Sequence, residues 1–383
     1  MDEVLCAGAG PDDVVATGRA VNPVLAGALQ QASLDCHMVV VPGRDDVPVE
    51  VRLGRPATAP WLDVSGCLDP VPYAVVPGTH AVAGQCGGPA RLPSLPTVSL
   101  VNSKTWSNGL VQALGLFGAA AVGRSPAEVR RLAGAADSAQ VVLKDPYGVC
   151  GQGVLAVATP RILDTVVRVL ERQADRGADV ELLVQPLFPV AESFSGHLVI
   201  DPSGGITLLG FQRTVNDGFA YAGSGPVPPD LERTLERSGY PDVLIEVGKI
   251  LFQAGYHGPV CVDSLLLTDD TIVPVLEINA RQSMGLLSLR LNERVADRAV
   301  TARLRSRHTR VDDANFTERL IERLRASGLL WPGHGRGVMP LASGPLRPPR
   351  GRLFYALFAV ADEDFETLDT ATGQHLDALL DPP

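Results

Sequence analysis

Apolar residues recur at helical spacing along some stretches of the chain and run or alternate at strand spacing along others, with turn residues between. PRILDTVVRVLERQAD (160–175), YPDVLIEVGKILFQAG (240–255) and KTWSNGLVQALGLFG (104–118) predict helices with one apolar face. SPAEVRRLAGAA (125–136) begins with Ser, Pro and Glu in the order of a capped helix start. QVVLK, VLAVA and ELLVQPL predict short strands. SGHLVIDPSGGITLLGFQRT predicts a hairpin turning at DPSGG, and PVCVDSLLLTDDTIVPVLEINARQSMG a second pair of strands joined at TDD. In residues 1–100 the runs CHMVVVPG, PYAVVPG and PTVSLVN read as strands around a helix, AVNPVLAGALQQA, which makes a small α/β domain. Residues 290–327 read as helical and arginine-rich, followed by a Pro/Gly/Arg loop (331–352), the strand RLFYALFAVA and a short last helix. No internal repeat or long low-complexity tract is visible.

Composition narrows the class. A chain of 383 residues suggests two or three domains, and 45% hydrophobic with 20% charged residues is ordinary for a soluble globular protein. A formal charge of −10 argues against a nucleic-acid binder. The seven arginines between 303 and 325 are interleaved with acids, so they read as a solvated amphipathic face. The most membrane-like run, GLVQALGLFGAAAVG (109–123), is too short to span a bilayer and reads as a buried helix. Cys6, Cys36, Cys67, Cys86, Cys150 and Cys261 contain no CxxC pair and are expected to be free thiols in a reducing compartment. MDEVLCAGAG lacks a basic, apolar signal pattern, so the expectation is a cytoplasmic protein. A homodimer is carried as a prior alone.

The densest chemistry lies at 260–281. In IVPVLEINAR, Glu277, Asn279 and Arg281 are two residues apart and share one face of an extended segment, while Leu276 and Ile278 point to the core. Folding at TDD brings Asp263 opposite position 276 or 277. Two acids so placed repel each other unless a cation lies between them. Asp263, Glu277 and the Asn279 carbonyl are hard oxygen ligands suited to Mg²⁺, and Arg281 suits charge developing on a transferred phosphoryl group. The alternative is a solvent-facing strand with incidental acids, and Pro274 suits an edge or a bulge.

VVLKDPYGVCGQGV (141–154) ends an apolar strand in a lysine and continues into a loop with Gly148, Gly151 and Gly153. Glycines let backbone N–H groups approach a polyphosphate, and Lys144 supplies a compact charge beside it. The same glycines would also suit a plain hairpin. Lysine is rare here: the chain has three, against 33 basic residues in all. Lys104 stands before a helix, where it could equally face solvent, and Lys249 reads as surface. GAGPDD near the start lacks the full dinucleotide pattern, and no GK[ST] follows the later glycines.

Lys104, then Lys144 with its glycine loop, then LLVQPLF, then Asp263 and Glu-x-Asn-x-Arg: this order resembles the ATP-grasp superfamily over about 100–290. The resemblance implies an ATP-grasp fold (α+β / α/β), with a small N-terminal α/β domain over 1–100. The ATP-grasp domain would cover 101–305, with a mobile lid at about 125–190, and a C-terminal segment 306–383. It implies that Lys104 and Lys144 contact ATP phosphates and that Gly148, Gly151 and Gly153 form the lid loop. Gln185, Pro186, Leu187 and Phe188 would line the adenine hinge, Glu192 would hold the ribose, and Asp263, Glu277 and Asn279 would bind Mg²⁺. Gln185 departs from the glutamate that many members carry there. VNSKTWSN and the terminal segments are similar to the peptide ligases of pheganomycin-type natural-product biosynthesis.

The implied activity joins a small acid to the amine of an amino acid or peptide through an acyl phosphate, with Arg281 and Lys144 as catalytic groups. No nucleic acid or membrane partner is implied. Arg213, Ser283 and Met284 are candidate substrate residues, with Gln212 and Asn216 near Arg213; His257 and Cys150 read as structural. A phosphotransferase on the same scaffold and a nucleotide-binding protein without turnover remain as alternatives.

Overall fold

The protein's computed structural model describes residues 2–55, 70–85, 92–135, 140–148 and 153–380. Gly151, Cys67, Cys86 and Cys150 lie outside the described residues. The chain forms two compact units. One comprises Pro93–Tyr221 and Val227–Arg281; the other comprises Met1–Leu92, Ala222–Pro226 and Gln282–Pro383. The two ends of the chain therefore share a unit.

The Pro93–Arg281 unit carries two antiparallel arrays. In the smaller, the strand order is Ala121–Gly123, Leu182–Pro186, Val141–Lys144, Val154–Val157. Helices Pro126–Gly134 and Pro160–Ala174 bury their apolar faces against it, around Val129, Leu143, Leu170 and Val184. Ser125 and Thr159 cap these helices by accepting N–H bonds from Glu128 and Ile162, as the Ser/Thr-Pro starts predict. In the larger array, Ile272–Asn279 pairs with Gly258–Leu267, then come Val190–Ile200 and Ile206–Asp217. Helix Tyr240–Gln253 lies against the last two strands. A Cβ on Gly196 would stand 2.4 Å from Leu244 Cδ1, so only glycine admits this close approach.

The other unit holds a parallel pair, Val14–Thr17 with His37–Val40. It also holds strand Thr301–Arg310, which pairs with Arg350–Ala359 and with Gly223 and Ser224. Arg350–Ala359 pairs in turn with Gly337–Pro340. Trp331 stacks on Phe358 at 3.7 Å between centroids in its core.

Five local expectations are corrected. PYAVVPG (72–78) is not a strand: its last two residues, Pro77 and Gly78, open helix Pro77–Gln85. TARLRSRHTR (301–310) is a strand, not helix: Ala302 and Leu304 face the core while Arg303, Arg305 and Arg307 alternate with them. Arg303 pairs with Asp362, and Arg305 and Arg307 with Asp369. PTVSLVN is the helix Leu95–Val101, because Ser94 accepts the Thr97 N–H and proline sits in the first turn, which outweighs β-branched composition. The run 109–123 is the end of helix Lys104–Ala113, a turn through Gly115 and Gly118 at positive φ, and the strand Ala121–Gly123. Finally, Cys6 and Cys36 form a disulfide rather than free thiols. They are 30 residues apart and become neighbours only through the pairing of the first two strands, which spacing in sequence does not reveal. Cys261 is a free, buried thiol. Among the described residues no helix is long and apolar enough to cross a membrane.

Candidate active site

The acids sit where the second hairpin places them. Asp270, at φ 65, turns the chain at TDD, and Asp263 comes directly opposite Glu277, with Cys261 opposite Asn279. Between the paired Asp263 and Leu265, Ser264 alone faces the three residues Pro274–Leu276, and its hydroxyl donates to the Pro274 carbonyl at 2.8 Å. Pro274 thus occupies a bulge on an edge strand, where its missing N–H costs nothing. The bulge sets which residue meets Asp263.

Asn279 Nδ2 donates to Asp263 Oδ2 at 2.8 Å, and Arg281 Nη2 donates to Asn279 Oδ1 at 2.8 Å. Burial, and then repulsion from Glu277, push the Asp263 carboxyl up to about 7. A cation between the two acids would remove that repulsion. Among the described residues no three His, Cys, Asp or Glu side chains gather as a metal cluster. Two carboxylates and an amide instead suit Mg²⁺, a hard ion that takes its remaining ligands from water and phosphate.

Both lysines converge on these acids. Lys104 opens helix Lys104–Ala113, which packs on strand Ile272–Asn279. It is only 4% exposed, with Nζ 3.0 Å from Glu277 Oε1. Its ammonium also donates to the Gly148 carbonyl, and its backbone N–H to that of Pro146, so the described start of the glycine loop is docked on Lys104. Gly153 closes the far side at φ +75, where a Cβ would lie 2.8 Å from that of Asp145. Lys144, at its strand end, is buried, and desolvation pulls its ammonium down to about 8 despite attraction from Glu277. Lys104, Lys144 and Gln185 line one water-sized crevice of about 10 Å³.

Gln185 and Pro186 lie in strand Leu182–Pro186, followed by Leu187 and Phe188. The Gln185 amide donates to the Gly118 carbonyl, and Phe188 packs on Phe117 with centroids 5.7 Å apart. Glu192 and Arg213, assigned separately to ribose and substrate from sequence, form a two-bond ion pair at 2.7 and 2.8 Å. Ser283 caps helix Met284–Arg294 by accepting the Leu286 N–H. Lys249 is a surface residue paired with Glu246. Sequence reasoning missed Asn102, whose Oδ1 accepts the Ala280 N–H at 3.0 Å while Nδ2 donates to Val98 and Ala280 carbonyls. It secures the strand end beside Arg281, and its place two residues before Lys104 was the available signal.

Two antiparallel arrays in one unit, the larger edged by the hairpin that carries the opposed acids, match the ATP-grasp fold, and the chain has that fold. Among solved structures, it is similar to a biotin carboxylase from Campylobacter jejuni in complex with β-γ-ATP. That match has a TM-score of 0.61 at 13% identity over 96% of this chain and 89% of that one. It is also similar to an N5-carboxyaminoimidazole synthase from Aspergillus clavatus in complex with ADP and 5-aminoimidazole ribonucleotide. There the TM-score is 0.57 at 12% identity over 95% and 98% of the two chains. No family model matches the chain. A [butirosin acyl-carrier protein]–L-glutamate ligase from Niallia circulans is 29% identical over 140 residues, 37% of this chain. The match spans about a third (32%) of that relative's length.

Proposed function

We propose that the protein is an ATP-dependent, ADP-forming carboxylate–amine ligase that joins a small acid to the amine of an amino acid or peptide. The observation that carries this reading is the direct pairing of Asp263 with Glu277, with Asn279 and Arg281 beside them. The glutamate ligase relative and the nucleotide complexes of the structural neighbours support it. Peptide ligation of the pheganomycin type is the finer form of the same proposal.

In this reading Asp263, Glu277 and Asn279 hold Mg²⁺, which supplies charge neutralisation on the phosphate oxygens. ATP binding exchanges the Glu277 partner of Lys104 for phosphate oxygens, and Lys144 gains a further anionic partner for its buried ammonium. Gln185 to Phe188 border the adenine, and the smaller array, within about 125–190, is the lid that excludes water. The substrate carboxylate attacks the γ-phosphorus, giving an acyl phosphate and ADP. Arg281 holds the acyl phosphate by its oxygens. The amine attacks the carbonyl carbon, the C–O bond to phosphate breaks, and the amine proton passes to solvent. No side-chain nucleophile is required.

Incubation of the full chain with Mg·ATP and pools of acids and amines, read by mass spectrometry, tests the proposal. ADP release that needs both an acid and an amine, with an amide product, is expected. Accumulation of a phosphoester without amine would establish a phosphotransferase instead, and absence of turnover with tight ATP binding a nucleotide-binding protein.

A further inference from the structure

The unit formed by the two ends of the chain contains a cavity of about 1070 Å³ that none of the nucleotide-site residues lines. Helix Met284–Arg294 forms one wall, with Met284, Leu287, Arg290 and Arg294 turned to it, and the GAGPDD segment forms another. Its volume exceeds the roughly 300–1,000 Å³ typical of small-molecule pockets, so a single free amino acid would fill a small part of it.

The charged groups on its wall are not equivalent. Arg294 is consumed by the fold: its guanidinium donates to the carbonyls of Cys6, Ala9, Ser33 and Asp35. Asp13 accepts the Gly10 N–H, and Asp2 that of Gly18. Arg290, one turn before Arg294, has no ion pair among the described residues. Its single hydrogen bond there runs from Nη1 to Gln282 Oε1 at 3.2 Å. Gln282 is 3% exposed and is itself fixed, its Nε2 donating to the Pro72 carbonyl and its backbone N–H to that of Tyr73. The Arg290 stem lies against Gly8, where an added Cβ would stand 3.2 Å from Arg290 Cδ. A guanidinium held at stem and head, with most of its five donors unspent, is organised in advance for a carboxylate. Asp12, Glu50 and Glu293 also line the cavity and make no ion pair among the described residues. That balance disfavours a polyanion and suits a ligand with one carboxylate and an ammonium group.

We infer that this cavity binds a short peptide with free termini, its C-terminal carboxylate on Arg290 and its cationic groups toward the acids. The binding itself needs no ATP and stands apart from the ligase reading.

Isothermal titration calorimetry on the full chain, without nucleotide, tests it. The probes are a panel of unmodified tripeptides and the same tripeptides as C-terminal amides and as N-acetyl derivatives. At least one free tripeptide is expected to bind, its amide about tenfold or more weakly, which is the cost of losing a charge-assisted pair. Arg290→Met is expected to erase the difference between acid and amide, and Arg290→Lys to retain part of it. Equal binding of acids and amides by the wild type overturns the inference, as does the absence of binding by every tripeptide. Displacement of the peptide by equimolar inorganic phosphate would also overturn it. If circular dichroism shows Arg290→Met unfolded, the wild-type comparison decides alone. Failure here with acid- and amine-dependent ADP release intact removes only the peptide cavity; peptide binding without any ATP turnover removes only the ligase.

Discussion

Lys104 Nζ lies 3.0 Å from Glu277 Oε1, and the lysine side chain is almost wholly out of solvent. Breaking a buried pair by removing one partner leaves the other charge uncompensated, which costs more than the pair contributes. Glu277→Gln is therefore expected to lower stability by about 2 kcal/mol as well as to abolish ADP release. Lys104→Met with Glu277→Gln should cost less than the sum of the two single changes. Urea unfolding of the four proteins gives the coupling directly, and strict additivity would show that the two charges do not act as a pair.

Lys144 should show the opposite sign. Its ammonium is pulled from the ordinary 10.5 to about 8 by burial, so folding penalises the charged form. Below about pH 8 both folded and unfolded chains carry the proton and the penalty is fully present. As pH rises from 8 to 10.5 the folded chain releases its proton first, the unfolded chain binds more protons, and stability climbs. Lys144→Met, which lacks the titrating group, is expected to be more stable than wild type by about 3 kcal/mol at pH 7, with the gap closing toward pH 10.5. The same variant should release no ADP. A destabilised Lys144→Met at pH 7 would contradict the burial argument.

Much of this was readable before the fold was known, and the reasons differ by element. Period-2 spacing of Glu277, Asn279 and Arg281, together with a turn at TDD, was enough to bring Asp263 to within one position of its partner. The remaining ambiguity between 276 and 277 is the bulge: three residues opposite Ser264 cannot be counted from hydrophobic pattern. TARLRSRHTR alternates apolar and polar only over 301–305, and its arginines gave it the look of a charged helix, since their paired aspartates arrive from Glu363–Asp377 and the residue before it. Likewise Glu192 and Arg213 each looked like ligand residues. Only strand register, with Phe194 opposite Arg213, makes them partners of each other. Local chemistry was legible; contacts that depend on which strands are neighbours were not.

The disulfide offers a stability test independent of the proposed nucleotide site. Cys6 and Cys36 close a 30-residue loop, and cross-linking a loop of that size removes unfolded-state entropy worth about 3–4 kcal/mol. Cys36→Ser, or treatment with a reductant, should lower the unfolding midpoint of the full chain, and reductant should have no further effect on the variant. Mass spectrometry after alkylation under denaturing conditions checks the bond itself: both thiols alkylated without prior reduction would show that it is not formed.

Asn102 links the lysine helix to the arginine without touching either ligand class. Its side chain accepts the Ala280 N–H and donates to two carbonyls, one of them that of Ala280, so it fixes the residue immediately before Arg281. Asn102→Ala leaves that partly buried backbone N–H without its acceptor, at a cost of about 1–3 kcal/mol. Because the strand end is then free to shift, Arg281 loses its set position while its charge and its bond to Asn279 are chemically unchanged. The expected kinetic signature is a fall in kcat of about tenfold or more with KM for ATP little altered, since Arg281 is proposed to act at the acyl phosphate and not at nucleotide binding. Steady-state ADP release at varied ATP separates the two parameters. A rise in KM for ATP at constant kcat would instead place Asn102 in support of the nucleotide, through Lys104.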